Sequence, residues 1–244
     1  MGNPNSKRRP TVILIHGFGF HSFVWKATAE RLSANYTVHR FALAGYDGAP
    51  SGANGRDSER LAEHEDAHWV GWSMGGLVAL SALEDGLRPR SLTLVASQPC
   101  MVARDDWPHA IGSPAFEDFR QRVRLDRQAA MQHFTTLVVH GDSQAQRMRD
   151  QLQDAPIPDQ TILERGLDLL EHADLRETWA QHRAPQQCIL GEHDALVPAD
   201  TVQPLRALCP GARFDLIPNS GHALPLSEPN QCVELMHAFW QSLE

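Results

Sequence analysis

Residues 67–83 constrain the fold more than any other stretch. The run from Ala67 to Trp72 is short and largely apolar, and Gly76-Leu77-Val78-Ala79-Leu80-Ser81-Ala82-Leu83 is apolar almost all round. Between them stands Gly71-Trp72-Ser73-Met74-Gly75-Gly76. A buried strand followed by a helix packed under a sheet reads this way. The G-x-S-x-G between them is a turn so tight that its flanking positions must lack side chains. Such a turn forces Ser73 into a strained backbone conformation. Its hydroxyl then projects above the sheet, at the N-terminus of the next helix, where backbone N–H groups face developing negative charge.

The rest of the chain supplies a sheet for that turn. Thr11-Val12-Ile13-Leu14-Ile15 is a wholly apolar, β-branched run that stops at His16-Gly17, as a strand buried on both faces would. A helix is expected over 22–33 with Ser22 as its N-cap. A strand follows over Tyr36–Phe41, then a Gly/Pro/Ser-rich loop from Ala44 to Gly55 and a polar helix over 57–66. Arg90–Ser97 reads as a strand. So do Gln187–Leu190 and Arg213–Ile217, with helices at Thr201–Leu208 and from about Glu228 to Leu243. This alternation predicts an α/β protein with a mostly parallel central sheet and helices on both faces. Residues 98–183 break the rhythm. They are rich in Arg, Asp and Gln and show helical periodicity at 114–138, 143–153 and 161–182. They are expected to form a helical cap inserted into a core made of 1–97 and 184–244, over the carboxyl edge where open α/β sheets place ligands.

Composition excludes several classes. At 244 residues, 42% hydrophobic and 21% charged, the chain is an ordinary globular one and not a disordered segment. No apolar run approaches the roughly 20 residues of a membrane span. A formal charge of −8 argues against nucleic-acid binding. Cys100, Cys188, Cys209 and Cys232 form no CxxC pair and are expected to be reduced thiols. With no secretory h-region visible, the expected location is the cytoplasm. Two motif matches are weaker than they look. Met1-Gly2-Asn3-Pro4-Asn5-Ser6 fits a myristoylation pattern but reads better as a frayed terminus. His64-Glu65-Asp66-Ala67-His68 fits H-E-x-x-H, which holds zinc only on a continuous helix. Here an apolar strand begins at once, so no metal is expected.

A serine hydroxyl needs a base, and the base an acid to orient it. On this kind of strand–turn–helix the chain order is Ser, Asp/Glu, His. Asp194 lies just past the strand ending at Leu190, in Gly191-Glu192-His193-Asp194, with Glu192 second to it. The other common position for the acid offers Ser97-Gln98 and no carboxylate. Of the thirteen histidines, His222 and His237 lie downstream of Asp194, and His237 falls mid-helix. Ser73, Asp194 and His222 are therefore the expected triad. The oxyanion donors would be Met74 N–H and, from His16-Gly17-Phe18-Gly19, Phe18 N–H.

With these residues in hand, the chain resembles the α/β-hydrolase superfamily over nearly its whole length. More narrowly it resembles the family of pimeloyl-[acyl-carrier protein] methyl ester esterases of biotin biosynthesis. The narrower resemblance rests on His16–Gly19, Gly71–Gly76, Val95–Cys100, Ala103–Pro108, Gly166–Leu170, Asp174–Arg176, Gly191–Pro198 and Gly221–Ala223. It implies hydrolysis of a carrier-linked methyl ester through an acyl-enzyme on Ser73, without a cofactor. It also implies substrate contacts from Phe18, Met74 and a cap stretch Phe134, Thr135, Thr136, Leu137 and Val138, of which the threonines are more polar than the pattern. The implied partner is an acyl-carrier protein, and the protein is expected to be a monomer. Residues 120–149 hold six arginines against Asp126 and Asp142, a local +4 in a negative chain. Arg127, Arg147 and Arg149 are thus expected to dock an acidic carrier. Other readings keep the triad and change the substrate, to a broad short-chain carboxylester or a C–C bond, or drop catalysis for a small-molecule receptor.

Overall fold

The computed structural model describes residues 9–51 and 57–244. The Met1–Ser6 motif lies outside the described residues, as does part of the loop ending at Gly55. Six parallel strands form one sheet in the order β2-β1-β3-β4-β5-β6. They are β1 (Thr11–Ile15), β2 (Thr37–Phe41), β3 (His68–Trp72), β4 (Ser91–Val95), β5 (Gln186–Gly191) and β6 (Arg213–Ile217). The order reverses beside β1, so the loops after β1 and β3 face one another across a crevice at the carboxyl edge. Helices α1 (Lys26–Leu32), α2 (Asp57–Leu61) and α3 (Met74–Glu84) connect the first strands. Between β4 and β5 run α4 (Ser113–Leu125), α5 (Arg127–Val138), α6 (Ala145–Leu152), α7 (Gln160–His172) and α8 (Arg176–Gln181). Then come α9 (Val202–Leu208), α10 (Leu224–Ser227) and α11 (Pro229–Gln241). Among the described residues no helix is long and apolar enough to cross a membrane.

Alternation along the strands divides the core in two. Ile13, Ile15, Trp69, Leu92 and Leu94 turn to a layer with Leu77 and Leu80 of α3. Val12, Leu14, Val70, Trp72 and Val95 turn to the opposite layer, with Leu32 of α1 and Met236, Phe239 and Trp240 of α11. Because both faces are covered, the strands must be apolar throughout, which is why β1 and β3 show no hydrophobic alternation in sequence. The inserted helices join both layers. Phe116, Val123, Leu163 and Leu167 extend the first, and Val138, Met148 and Leu152 the second. Arg120, with 5% of its surface exposed, ties α4 to α7 by bonding Asp168 at 2.7 Å and Glu171 at 2.6 Å.

Some local expectations need correction. The helix expected at 22–33 starts as a 3-10 turn, Ser22–Trp25, with His21 as its N-cap. Ser22 does not cap it. Instead the Ser22 N–H donates to Asp47 Oδ2 at 2.9 Å, so a distant carboxylate satisfies the helix end. The helix expected at 57–66 ends in a second 3-10 turn at His64. His68 already belongs to β3, so the two histidines of H-E-x-x-H sit in different elements. The imidazole of His68 is buried, hydrogen-bonded to Ser91 Oγ at 2.7 Å and stacked 4.7 Å from the Trp240 ring. The four cysteines are free thiols.

Burial holds two histidines neutral. Desolvation pulls His16 and His68 each down from 6.5 to about 4. Between those values the unfolded chain binds a proton that the folded chain refuses, so stability is full above pH 6.5 and falls as pH drops toward 4. Moving from pH 7 to pH 5 should remove about 2 kcal/mol per histidine. Urea denaturation at the two pH values measures this, and a flat response would contradict the buried neutral state of both.

Candidate active site

Ser73 is strained, with φ 54° and ψ −124° between β3 and α3 at the carboxyl edge. A non-glycine residue there carries about 1–3 kcal/mol of strain and persists only if its surroundings hold it. Three bonds do so. Ser73 N–H donates to Val95 O at 3.0 Å, Gly76 N–H to Ser73 O at 2.9 Å, and Ser97 Oγ–H to Ser73 O at 2.7 Å. The glycines are required by contact. A Cβ on Gly71 would lie 2.5 Å from the Gly75 carbonyl, and one on Gly75 would lie 2.5 Å from Ile15 O.

The loop after β1 is held by His16. Leu43 N–H donates to its Nε2 at 3.1 Å, so the proton resides on Nδ1, which donates to Gly17 O at 2.9 Å. The peptide is planar and trans, so fixing the Gly17 carbonyl aims the Phe18 N–H the opposite way. Burial keeps this imidazole uncharged and so preserves the tautomer. Tyr46 braces the far side, its hydroxyl accepting from Gly19 N–H at 3.3 Å and pushed up to about 12 by burial. A Cβ on Gly17 would come within 3.1 Å of Ser73 Cβ, so the loop passes directly over the turn. Met74, the first residue of α3, has an N–H with no intrahelical acceptor.

Asp194 and His222 stand on the loops after β5 and β6. Asp194 Oδ1 accepts from Leu196 N–H at 2.8 Å and Val197 N–H at 2.9 Å, while Oδ2 accepts from His222 Nδ1–H at 2.8 Å. Both side chains are buried, at 0% and 1% exposure. With the proton on Nδ1, His222 Nε2 presents a lone pair. That atom is buried and without a hydrogen-bond partner among the described residues. Trp72 joins this loop to the strained turn, its indole N–H donating to His222 O at 2.8 Å. Glu192 faces elsewhere, accepting from Asn219 N–H at 3.0 Å, and its side chain is 44% exposed.

The inserted helices roof this edge. Phe18 packs edge-on against Phe134 at 5.5 Å and Phe119 at 6.1 Å. Phe20 stacks on Phe134 at 5.9 Å. A cavity of about 260 Å³ opens beside them, lined by Gly19, Phe20, Met131, Thr135, Thr136 and Arg149. The threonines bond back to their own helix, Thr135 Oγ1 to Met131 O at 2.9 Å and Thr136 Oγ1 to Gln132 O at 3.2 Å. Their polarity is thereby spent within α5. Leu137 is half-buried at the edge of the second core layer, and Val138 lies wholly within it.

The arginine cluster is less positive than its window suggests. Arg120, Arg122 and Arg124 bond Asp168, Asp118 and Glu164, all outside residues 120–149. Arg127 donates to Pro158 O at 3.2 Å and pairs with Asp159 at 3.5 Å. Arg147 bonds the neutral Gln144 at 2.8 Å, and neither it nor Arg149 forms an ion pair among the described residues. Asp168, Glu171 and His172 bring ligand atoms within 4.8 Å of one another, but both carboxylates already bond the Arg120 guanidinium.

The sequence assigns His16, Tyr46, Trp72 and Ser97 no role of their own, because each acts through a backbone group of a neighbour. The only signal for His16 is that it adjoins Gly17 at the end of a buried strand.

Known proteins share this outline. The model of the alpha/beta hydrolase family matches residues 12–235. The pimeloyl-[acyl-carrier protein] methyl ester esterase of Xylella fastidiosa (strain M12) is 33% identical over 250 residues, 96% of each chain. That of Citrobacter koseri is 33% identical over 243 residues, covering 95% of this chain and 94% of its own. Among solved structures, an esterase from Exiguobacterium antarcticum superposes with a TM-score of 0.81 at 19% identity, over 96% of this chain and 92% of its own. A bromoperoxidase from Bacillus anthracis does so with the same score, identity and coverage. Their likeness is one of fold. By the family model and by these relatives, the chain belongs to the α/β-hydrolase family.

Proposed function

We propose that the protein is a serine carboxylesterase that hydrolyses the methyl ester of a pimeloyl-[acyl-carrier protein], releasing the pimeloyl-carrier and methanol. The observation that carries the chemistry is the buried His222–Asp194 pair, standing on the same sheet edge as the strained Ser73. The substrate rests on relatives named for it that match this chain over almost its full length.

Ser73 Oγ attacks the ester carbonyl while His222 Nε2 takes its proton. In free enzymes such contacts are commonly long and tighten on substrate binding, consistent with the unpartnered Nε2. Phe18 N–H and Met74 N–H hold the oxyanion, the second at the positive end of α3. Asp194 keeps the proton on Nδ1 and stabilises the imidazolium, its other oxygen being committed to two backbone donors. The imidazolium then protonates the departing methoxide. Water, deprotonated by His222, cleaves the acyl-enzyme. Residues 98–183 act as the cap, and Phe134, Thr135 and Thr136 border the acyl chain, with Leu137 and Val138 packed behind them. No step requires a metal or an organic cofactor. Acting on a soluble carrier, the enzyme works as a monomer in the cytoplasm.

Ser73→Ala should abolish hydrolysis of the carrier-linked ester with little change in thermal midpoint. Asp194→Asn should lower kcat by about 10⁴-fold, as loss of the orienting carboxylate does in serine proteases, and Glu192→Gln should leave it near wild type. Steady-state kinetics of the three variants tests the assignment, and a damaging Glu192→Gln beside a harmless Asp194→Asn would reverse the choice of acid.

The carrier docks on the arginines that lack carboxylate partners, Arg147 and Arg149, with Arg127 at the margin. Arg147→Glu with Arg149→Glu should raise KM for the carrier-linked ester about tenfold, roughly 1.4 kcal/mol, and flatten its dependence on salt. KM for p-nitrophenyl butyrate should hold within twofold. Equal losses on both esters would assign the arginines to the cap fold. If the wild type instead prefers the small ester, the enzyme is a general carboxylesterase.

A further inference from the structure

We propose that Asp142 is a positioning residue, through which the cap turn His140–Asp142 holds the loop carrying His222. The inference rests on reading His222 as the base. The turn joins α5 to α6 and enters the gap between the acid-bearing and base-bearing loops. On one side Gly141, with φ +78°, lies so close to the acid loop that a Cβ would stand 2.5 Å from His193 O. On the other side Gly221 faces His140 O, where a Cβ would stand 2.4 Å away. The two loops are themselves joined, His193 N–H donating to Ser220 O at 2.9 Å. The cap turn is thus the third member of a packed triple, with two glycines accepting the contact.

Asp142 supplies the directed bonds. It is 8% exposed, and no ion pair forms on it among the described residues. One oxygen accepts from Gln144 N–H at 2.8 Å and the other from Gly221 N–H at 3.4 Å. Gln144 in turn donates from Nε2 to Ser227 O at 3.0 Å, beyond the base. A carboxylate suits the place because two N–H groups converge on it and both need acceptors. An amide has one oxygen, and its NH2 would face the second donor. The Gly221 N–H belongs to the residue before His222, so this bond bears on the imidazole's backbone directly. A displacement of about 1 Å at a reacting group costs on the order of 10²-fold in rate. The same turn continues from α5, whose Phe134 touches Phe18, so whatever seats against α5 is mechanically connected to the base.

The test compares Asp142→Ala, Asp142→Asn and Met148→Ala, the last loosening the packing of α6 while leaving the hydrogen bonds of Asp142 in place. Asp142→Ala should lower kcat on p-nitrophenyl butyrate about tenfold with KM held within twofold. Asp142→Asn, keeping one acceptor, should lose about threefold, and Met148→Ala should lower the thermal midpoint without a comparable loss of kcat. Proton NMR should show the downfield His222 Nδ1 proton broadened in Asp142→Ala and sharp in Met148→Ala. Unchanged kcat and an unchanged Nδ1 proton in both Asp142 variants would overturn the proposal, as would a loss in Met148→Ala matching that of Asp142→Ala. Ser73→Ala is measured alongside. If it is inactive while the Asp142 variants are normal, only the role of Asp142 fails. If it is active, the triad reading fails first.

Discussion

Everything at the carboxyl edge depends on one unfavourable backbone conformation, that of Ser73. A residue with a side chain is held at positive φ because β3 and α3 must join without a loop. The join works only if Gly71, Gly75 and the backbone of β1 interpenetrate. The cost is met by the buried sheet, whose apolar faces are both covered and whose strands cannot shift independently. Each further piece of the site attaches to that point. Ser97 grips the Ser73 carbonyl, Trp72 beside it holds the carbonyl of His222, and Gly17 passes over it within van der Waals reach.

Burial then does two different jobs. At His222 and Asp194 it removes competing water from a pair whose value lies in orientation. At His16 it excludes the charged form, so that a single tautomer fixes one peptide plane. The two histidines are chemically alike, and their roles diverge because one faces a carboxylate and the other faces a carbonyl and an amide.

Much of this arrangement is legible in the amino-acid sequence. The strands after which Ser73 and Asp194 stand are short, mostly apolar runs ending in a turn or glycine; chain order admits both Asp194 and Glu192, and the bond to His222 Nδ1 singles out Asp194. The expected strand limits fall within one residue for β1, β3 and β5, since a doubly covered strand leaves a nearly continuous apolar signature. The start of the first helix is misread at Ser22, because the group that satisfies its N–H is Asp47, twenty-five residues away. The arginine window misleads for a related reason. Charge counted along the chain omits the carboxylates of α7, which meet α4 only in space. Asp142 carries no sequence signal of its own, since a Gly-Asp pair between two helices reads as an ordinary turn.

The sharing of both core layers by the inserted helices bears on how such an enzyme diversifies. A cap with its own core can be exchanged as a cassette, because its interior is indifferent to what lies below. Here Phe116, Leu163 and Leu167 complete one face of the sheet's packing, while Val138, Met148 and Leu152 complete the other. A foreign cap grafted at these boundaries would bring mismatched volumes into both layers at once. The cavity is therefore reshaped mainly by point changes on the side of α5 that lines it, and recombination across the insertion is penalised by the core beneath it.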